Sequence, residues 1–337
     1  MSSVLVAGLG DVGVRTARQL LDTPGVDRVY VAARHLDQAR TIASALHDGA
    51  TPWELDSHGP SFPDGLDVVA AAVPGAADVE LARAAVAVGV SYASASDDVH
   101  ALGGLLALDA DAGRAKVRVA VGCGLAPGLG DVLARHAAAA LDEVDELHVA
   151  RWGVAGDACV ESVRHAHREP GLEWRDGAFE EERSHGTELV WFPDPVGARE
   201  CRLVANGVEL LVAANPGVER ATMRLGGPTH RLRVRRALTP SPRRDPGADW
   251  GAVRAEAWGS RGVVREALVY GVIERPAIAT GTVLGVTAAC LAGAIDGVAT
   301  ATSGSRGLGS MVDPAPFLAE LAKRGVKAAA FEGAAIS

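Results

Sequence analysis

The stretch Gly8-Leu9-Gly10-Asp11-Val12-Gly13 decides how this chain begins to fold. It follows the apolar run of residues 4–7 and precedes residues 14–21, whose composition is that of a helix. In the order strand, glycine turn, helix, the first glycine permits a tight turn, the second lets a pyrophosphate approach the backbone, and the third lets helix and strand pack closely. Amides at the helix N-terminus then face the phosphates. We therefore predict a dinucleotide-binding turn, the alternative being a plain glycine turn.

The end of the second strand predicts which dinucleotide is bound. Residues 29–32 form that strand, and Ala33-Arg34-His35 follows it. In NAD-preferring versions an acidic residue at this position binds both ribose hydroxyls, and here no carboxylate is present to repel a 2′-phosphate. Arg34 is able to pair with that phosphate, and His35 or Arg40 adds positive charge. We expect NADP(H) to be preferred over NAD(H), the alternative being that Arg34 is an ordinary solvated residue.

The chain up to residue 121 alternates between apolar strands and alanine-rich helices. Residues 68–73 are a continuous apolar run, typical of a buried parallel strand. The later elements are a helix at 76–88, a strand at 90–92, a helix at 101–115 and a strand at 116–121. This alternation predicts a doubly wound parallel sheet, a Rossmann domain, whose ligands bind at the carboxyl ends of the strands. From the loops at those ends we expect cofactor contacts by Val73, Pro74, Gly122 and Cys123.

The pattern changes beyond Gly128 and predicts an inserted second domain of mixed α/β (α+β) character. Expected there are helices at 130–141 and 158–167, strands at 146–152, 187–192, 208–213 and 222–225, a polar, proline-rich loop at 235–246, and a hairpin over 253–270 turned at 259–262. Apolar and amphipathic helices at 280–298 and 315–324 then return to the nucleotide domain. We expect residues 1–126 to bind NADP, 127–272 to form a substrate, catalytic and dimerisation domain, and 273–337 to form the C-terminal helical return.

Composition limits the class of protein. A chain of 337 residues is long enough for two domains, and a net charge of −9 argues against a general nucleic-acid binder. No apolar stretch is long enough to span a bilayer and no signal follows Met1, which predicts a cytoplasmic protein without membrane contacts. The cysteines are far apart and lack metal-ligand spacing, so we expect reduced, mostly buried thiols and no metal site.

The order and spacing of several short motifs resemble the saccharopine dehydrogenase-like family, which includes saccharopine reductases and lysine dehydrogenases. Besides the glycine turn, these motifs are Val73-Pro74, Gly89-Val90-Ser91-Tyr92, Gly124-Leu125-Ala126-Pro127-Gly128 and Phe192-Pro193-Asp194-Pro195-Val196-Gly197. The sequence departs from the family at Ala126, where saccharopine reductases typically have aspartate, and at Ser94, a frequently acidic position. These departures argue against true saccharopine activity.

This resemblance implies an enzyme that oxidises or reduces a carbon–nitrogen bond, and it implies a homodimer. Together with the cofactor prediction, we expect an NADP(H)-dependent imine reductase, or an amine or amino-acid dehydrogenase, acting on a small amino-acid-like amine or imine or a biosynthetic intermediate. Two alternatives stay open. One is an epimerase or cyclase that keeps tightly bound NAD(P) and oxidises its substrate transiently, and the other is a non-catalytic binding protein that responds to NADP(H).

The residue types exclude two mechanisms. Tyr30, Tyr92 and Tyr270 are the only tyrosines and none has lysine four residues later, which excludes the tyrosine–lysine pair of short-chain dehydrogenases. No lysine lies between residues 128 and 276, so a Schiff-base lysine from the second domain is excluded too. Hydride transfer to an iminium fits such a site, because the protonated C=N bond is already electrophilic and needs mainly orientation against the nicotinamide.

Candidates for the chemistry lie at strand ends, in the turn before residue 130 and in the second domain. As catalytic residues we expect Tyr92, Asp97, Cys123 and His165. As substrate-binding residues we expect Ser94, Ser96, Pro127, Asp131, Arg151 and His167.

Several of these candidates also have a structural interpretation. Tyr92 is alternatively a packed ring, and Asp97 a cap of the following helix. Asp131 lies in a first helical turn, where the dipole favours a carboxylate. His165 and His167 are two apart on a helix and face different sides, which argues against a shared metal and fits a solvated helix end.

Overall fold

The computed structural model describes residues 2–46, 49–56, 59–182, 186–227 and 249–331. Sixteen strands lie in these parts of the chain. The first six are β1 (Ser2–Ala7), β2 (Val26–Ala33), β3 (Ala50–Glu54), β4 (Val68–Ala71), β5 (Ser91–Ser94) and β6 (Arg118–Val121). The others are β7 (Glu143–Trp152), β8 (Gly171–Arg175), β9 (Ala178–Glu182), β10 (Thr187–Trp191), β11 (Ala198–Val204), β12 (Arg220–Gly226), β13 (Gly251–Arg261), β14 (Val264–Glu274), β15 (Gly304–Gly307) and β16 (Ala329–Phe331).

The helices of the same ranges alternate with the early strands and cover both sheets. They are α1 (Asp11–Leu21), α2 (Leu36–Ala45), α3 (Ala76–Ala87), α4 (Val99–Leu106), α5 (Asp109–Ala115), α6 (Leu129–Ala138), α7 (Asp157–Ala166), α8 (Val208–Ala214), α9 (Pro276–Leu291), α10 (Leu308–Met311) and α11 (Pro314–Lys323).

The first sheet is parallel throughout and has seven strands in the order β15-β6-β5-β4-β1-β2-β3. The strand order reverses between β1 and β4, and a doubly wound sheet binds its ligands in the crevice at such a point. Strands β4 and β5 are buried along their whole length. The predicted doubly wound sheet is confirmed.

The second sheet has nine strands, seven of them in the order β10-β11-β12-β7-β13-β14-β16, while β8 pairs with β12 and β9 pairs with β8. Strands β12 and β7 pair in parallel, while the remaining pairs are antiparallel. Helix α6 packs against β7 and β13, so this sheet buries one face through alternate residues such as Val253, Ala255 and Ala257. This is the mixed second domain that the sequence predicts.

Helix α9 joins the end of the chain to the parallel sheet. Its residues are buried all round, as expected of a helix that is apolar on every side. It packs against α1 at Gly281, where a Cβ atom would lie 2.7 Å from the Cβ of Arg15, and at Gly285, where it would lie 3.0 Å from the Cβ of Gln19. Because these two glycines have no side chain, the two helices are able to approach each other this closely.

The structure corrects some predicted elements. Residues 208–213 were expected as a strand and belong instead to helix α8, because Val208, Leu211 and Ala214 bury one helical face that the short apolar run did not reveal. The helix expected at 101–115 is divided into α4 and α5. The hairpin turns at residues 262–263 rather than 259–262. The loop expected at 235–246 lies outside the described residues.

The end of the chain is more than a helical return. Besides α9 and α11, it contributes β15, which adds a seventh parallel strand beside β6, and β16, which pairs with β14 in the second sheet. Neither strand was predicted, since each is only three or four residues long. In the described ranges, no helix has the length and apolarity needed to cross a membrane.

Gly281→Ala tests the close packing of α9 on α1. The new Cβ would also meet the carbonyl oxygen of Val12 at 2.9 Å, so backbone has to move, and we expect a loss of stability of about 1–3 kcal/mol. The matched control is Gly103→Ala in α4, where a Cβ meets nothing within 4 Å. That control should gain about 0.5–1 kcal/mol because alanine favours a helix. Urea unfolding followed by circular dichroism measures both, and equal effects would contradict this packing.

Candidate active site

A cavity of about 700 Å³ opens at the carboxyl ends of the parallel strands, between the two sheets. The first domain contributes the glycine turn and the loops that follow β4, β5 and β6. The second domain contributes the end of β7 and the start of α7, and the chain returns to add the start of α9. Both parts of the chain therefore supply side chains to one space.

The glycine turn has the shape that a dinucleotide requires. Gly8 has φ +86°, and a Cβ there would lie 2.5 Å from the carbonyl oxygen of Ala72, so no other residue fits without rearrangement. A Cβ on Gly13 would collide with the carbonyl oxygen of Gly8. At Gly10, in contrast, a Cβ would meet nothing within 4 Å, which leaves open space outside the turn. These residues fit the pyrophosphate of a dinucleotide.

The remaining predicted cofactor residues divide between the cavity and the interior. Val73 and Pro74 line the cavity after β4. Gly122 and Cys123 do not line it: Cys123 is completely buried, its Sγ lies 3.4 Å from the carbonyl oxygen of Ala120, and burial raises the pKa of its thiol to about 12. The structure contradicts Cys123 as a catalytic or cofactor residue, because its side chain, two residues past the end of β6, lies in the core and not in the cavity.

Arg34 and His35 lie in a second, separate pocket of about 880 Å³ at the ends of β2 and β3. Both residues are exposed. The pocket is also lined by the acidic residues Glu54 and Asp56, which no sequence motif indicated. Residues that would hold a 2′-phosphate are thus present, and they share the pocket with two acidic groups.

Asp97, which belongs to the first domain, is held in the cavity by groups from the second domain. Arg151 Nη1 donates to Asp97 Oδ2 and to the carbonyl oxygen of Ala126, each at 2.8 Å. Cys159 Sγ donates to the same Asp97 Oδ2 at 3.1 Å, and Asn206 Nδ2 donates to the Asp97 carbonyl oxygen at 2.5 Å. The helix cap predicted for Asp97 is made by its neighbour Asp98, whose side chain accepts from the amide of Ala101.

Tyr92 and Ser94 lie below the cavity rather than in it. The Tyr92 hydroxyl donates to Asp78 Oδ1 at 2.6 Å, and the Ser94 hydroxyl donates to Asp78 Oδ2 at 2.5 Å. All three residues are completely buried. Burial raises the pKa of Tyr92 well above its ordinary value, and the nearby Asp78 carboxylate raises this pKa further. The structure contradicts Tyr92 as a proton donor and Ser94 as a substrate residue, since neither side chain reaches the cavity.

Of the other predicted site residues, some line the cavity and others do not. Ser96, Pro127 and His165 line the cavity, and His165 Nε2 lies 3.6 Å from Glu161 Oε1 on the same helix. His167 does not line it, and its Nε2 lies 3.2 Å from the carbonyl oxygen of Leu225. The helical spacing explains the difference, because residues two apart face different sides.

Asp131 is a structural carboxyl. Its Oδ2 accepts from the amide of Gly128 at 2.8 Å, which fixes the turn that precedes α6. It is completely buried, and burial raises the pKa of its carboxyl to about 7. The predicted role of Asp131 in substrate binding is contradicted, because its carboxyl is enclosed by protein.

Several cavity residues were not predicted. Glu161 was identified by no motif, and Cys159 was classed with the inert thiols because a single cysteine carries no spacing signal. Thr280 was placed in a core helix, and the start of that helix reaches the cavity. Asn206 holds Asp97 from a loop that has no recognisable pattern. A cavity between two domains brings together loops that are distant in the sequence, and local sequence patterns do not predict which loops meet.

Asp78→Asn tests the buried carboxyl beneath the site. Burial raises the pKa of Asp78 from 3.8 to about 7, so the folded state favours the protonated form. That contribution to stability is fully present below about pH 4 and is lost as the pH rises through 7. Relative to the wild type, Asp78→Asn should gain roughly 2–4 kcal/mol between pH 4 and pH 8, measured by urea unfolding. Asp37→Asn, at an exposed carboxyl, is the control, and equal pH dependences would contradict the assignment.

Three solved structures have a similar fold. Saccharopine dehydrogenase (L-Glu forming) from Saccharomyces cerevisiae is 14% identical, with a TM-score of 0.68, over 98% of this chain and 100% of that one. Amine dehydrogenase from Mycobacterium smegmatis is 14% identical, with a TM-score of 0.54, over 92% and 96%. DAP dehydrogenase from C. glutamicum, in complex with DAP, is 15% identical, with a TM-score of 0.52, over 96% and 99%. No family model and no curated protein matches the sequence. The chain therefore has the two-domain fold of saccharopine dehydrogenase, in agreement with the resemblance seen in its motifs.

Proposed function

We propose that this protein is an NADP(H)-dependent oxidoreductase that acts on a carbon–nitrogen bond of a small amino-acid-like amine or imine. The observation that carries the proposal is the shared cavity. The glycine turn borders it on one side, and the Asp97, Arg151 and Cys159 side chains border it on the other. A nucleotide and a small polar substrate bound there would meet in the same space.

The solved structures of similar fold support the choice of reaction. They are those of a saccharopine dehydrogenase, an amine dehydrogenase and a DAP dehydrogenase bound to DAP. Each is a dehydrogenase, one is named after an amine, and one forms L-Glu. At identities of 14–15% this supports a reaction class for our chain and no particular substrate.

The residues present suit hydride transfer to an iminium. A bound nicotinamide cofactor would supply or accept the hydride. Pro74 and Pro127 line the cavity with apolar surface, against which a planar C=N group would be oriented. His165, held near Glu161, is the cavity residue that we assign to proton exchange, and Ser96 offers a hydroxyl nearby.

The division of labour in the chain follows from the same proposal. Residues 1–126 would bind the cofactor, residues 127–272 would bind the substrate and make a homodimer, and residues 273–337 would close onto the first domain. The dimer and the cytoplasmic location come from the family resemblance and the composition. Light scattering of the purified protein measures the dimer directly.

Arg34→Ala tests the preference for NADP(H). Arg34 would make a charge-assisted hydrogen bond to the 2′-phosphate, so its removal should weaken NADPH binding about 10- to 100-fold and leave NADH binding nearly unchanged. Equilibrium titration by nucleotide fluorescence measures both constants. Arg18→Ala, an exposed arginine on α1 outside both pockets, is the matched control. Equal affinities of the wild type for NADPH and NADH would refute the preference.

Gly10→Ala tests nucleotide binding without disturbing the fold. The new methyl group would meet no protein atom within 4 Å and would occupy the space that a pyrophosphate needs. We expect the variant to keep the wild-type unfolding midpoint and to lose measurable binding of both NADPH and NADH. The same substitution at Gly103, which is also open but remote, should leave binding unchanged. Unaltered binding by Gly10→Ala would sink the nucleotide assignment.

The reaction is then tested by screening imines with NADPH and amines with NADP⁺ at 340 nm. Turnover of an imine or amine would support the proposal. A nucleotide that stays with the protein through dialysis, together with racemisation or cyclisation and no net turnover of the cofactor, would favour transient oxidation instead. Nucleotide binding without any reaction would favour a non-catalytic NADP(H)-responsive protein.

A further inference from the structure

The Asp97 carboxylate presents one free oxygen to the cavity. Its Oδ2 accepts hydrogen bonds from Arg151 and from Cys159. Its Oδ1 accepts none from the residues that the structure describes, and it is not among the polar atoms that are buried without a partner. The side chain is 16% exposed. Oδ1 is therefore an acceptor that is fixed in position and open to a ligand.

The Arg151 guanidinium binds this carboxylate and is not available to a ligand in the cavity. Its side chain is 5% exposed, and its Nη1 is occupied by Asp97 and by the carbonyl oxygen of Ala126. Its Nε and Nη2 are closed off from solvent and have no acceptor in the described ranges. A ligand anion would have to displace protein to reach the guanidinium. Arg151 thus acts through Asp97.

Cys159 supplies the second hydrogen bond to Oδ2. It lies in the first turn of α7, where the chain enters the cavity. Burial raises the pKa of the Cys159 thiol to about 12, so the proton stays on sulfur and the group remains a donor. A thiol and a guanidinium on one oxygen leave the other oxygen as the acceptor for a third donor.

The charges around the cavity favour a cation. Its lining contains the carboxylates of Asp11, Asp97, Asp98, Asp157 and Glu161. The cationic side chain among the lining residues is Arg151, which Asp97 already neutralises, apart from the titratable His165. The lining therefore carries an excess of negative charge. This excess attracts a protonated nitrogen and gives a neutral ligand no advantage.

We propose that Asp97 Oδ1 binds the positively charged nitrogen of the substrate, an ammonium or iminium N–H, and that Cys159, together with Arg151, holds the carboxylate in position. This rests on the proposed function and specifies it, because the substrate must then carry its charge at the reacting C–N bond. Asp97 is the binding residue. Cys159 is a positioning residue, since it reaches the substrate only through Asp97.

Isothermal titration with two matched probes tests the assignment. Cyclohexylamine is protonated at neutral pH and cyclohexanol is a neutral ring of similar size. Both are titrated into the protein saturated with NADP⁺, and again without nucleotide. We expect the wild type to bind the ammonium about tenfold more tightly than the alcohol. No preference in the wild type would overturn the proposal.

Three variants separate the roles of the side chains. Asp97→Asn keeps the shape and removes the charge, so it should abolish the preference for the ammonium. Cys159→Ala keeps the Arg151 ion pair and should weaken the ammonium about threefold, while Cys159→Ser keeps a donor and should restore binding. The alcohol should bind equally to all of them. A preference that survives Asp97→Asn, or a serine variant that behaves as alanine does, would contradict these roles.

The NADPH titration of the same samples separates this inference from the proposed function. Asp97→Asn leaves Arg151 without its buried partner, and circular dichroism shows whether the variant is folded. If it does not fold, the two Cys159 variants decide, because they leave the ion pair intact. Wild-type NADPH binding with no ammonium preference overturns the role of Asp97 alone, whereas absent NADPH binding overturns the oxidoreductase itself.

Discussion

The ion pair between Arg151 and Asp97 is the interaction on which the site depends. Arg151 lies near the end of β7 in the second sheet. Its guanidinium donates to Asp97 in the loop after β5, and also to the carbonyl oxygen of Ala126 in the loop after β6. Three separate parts of the chain are thereby fixed around one charge. Removing either partner of such a buried pair costs about 3–5 kcal/mol, since the other is left uncompensated. The cavity is therefore shaped by the contact that joins the two domains.

Beneath the cavity lies a second polar layer that stabilises its floor. Asp78 accepts from Tyr92 and Ser94, and the Ser94 hydroxyl oxygen in turn accepts from the amide of Ser96 at the edge of the cavity. This chain of hydrogen bonds ties α3 to β5 and to the loop that carries Asp97. Because Asp78 is fully buried and its pKa is raised to about 7, the stability of this layer depends on pH. Binding groups and structural groups thus stand in adjacent layers.

Particular residues show how far the sequence predicted the site. The glycine turn, Pro74, Ser96, Asp97, Pro127, Arg151 and His165 all line the cavity. Those up to Pro127 follow strands or start helices at the edge where ligands bind, whereas Arg151 lies near the end of β7 and His165 near the end of α7. Tyr92 and Cys123 also stand near strand ends but turn inward. Strand β5 is buried on both faces, so its alternation does not reveal which residues face the cavity. Cys159 was missed because its partner is 62 residues away.

Apart from the added strands β3 and β15, the sequence by itself determined the alternation of strands and helices in the Rossmann domain up to residue 121 and the turn that would hold a dinucleotide. These follow from short-range patterns: apolar periodicity, and glycines whose positions allow one backbone path. Only the tertiary structure decided which side chains share the cavity, that Arg151 serves Asp97 rather than a ligand, and that residues 208–214 form a helix. The physical reason is that these outcomes depend on how the two domains pack together, through helices and loops that are far apart in the sequence. Asp97 and Arg151, 54 residues apart, meet through that packing alone.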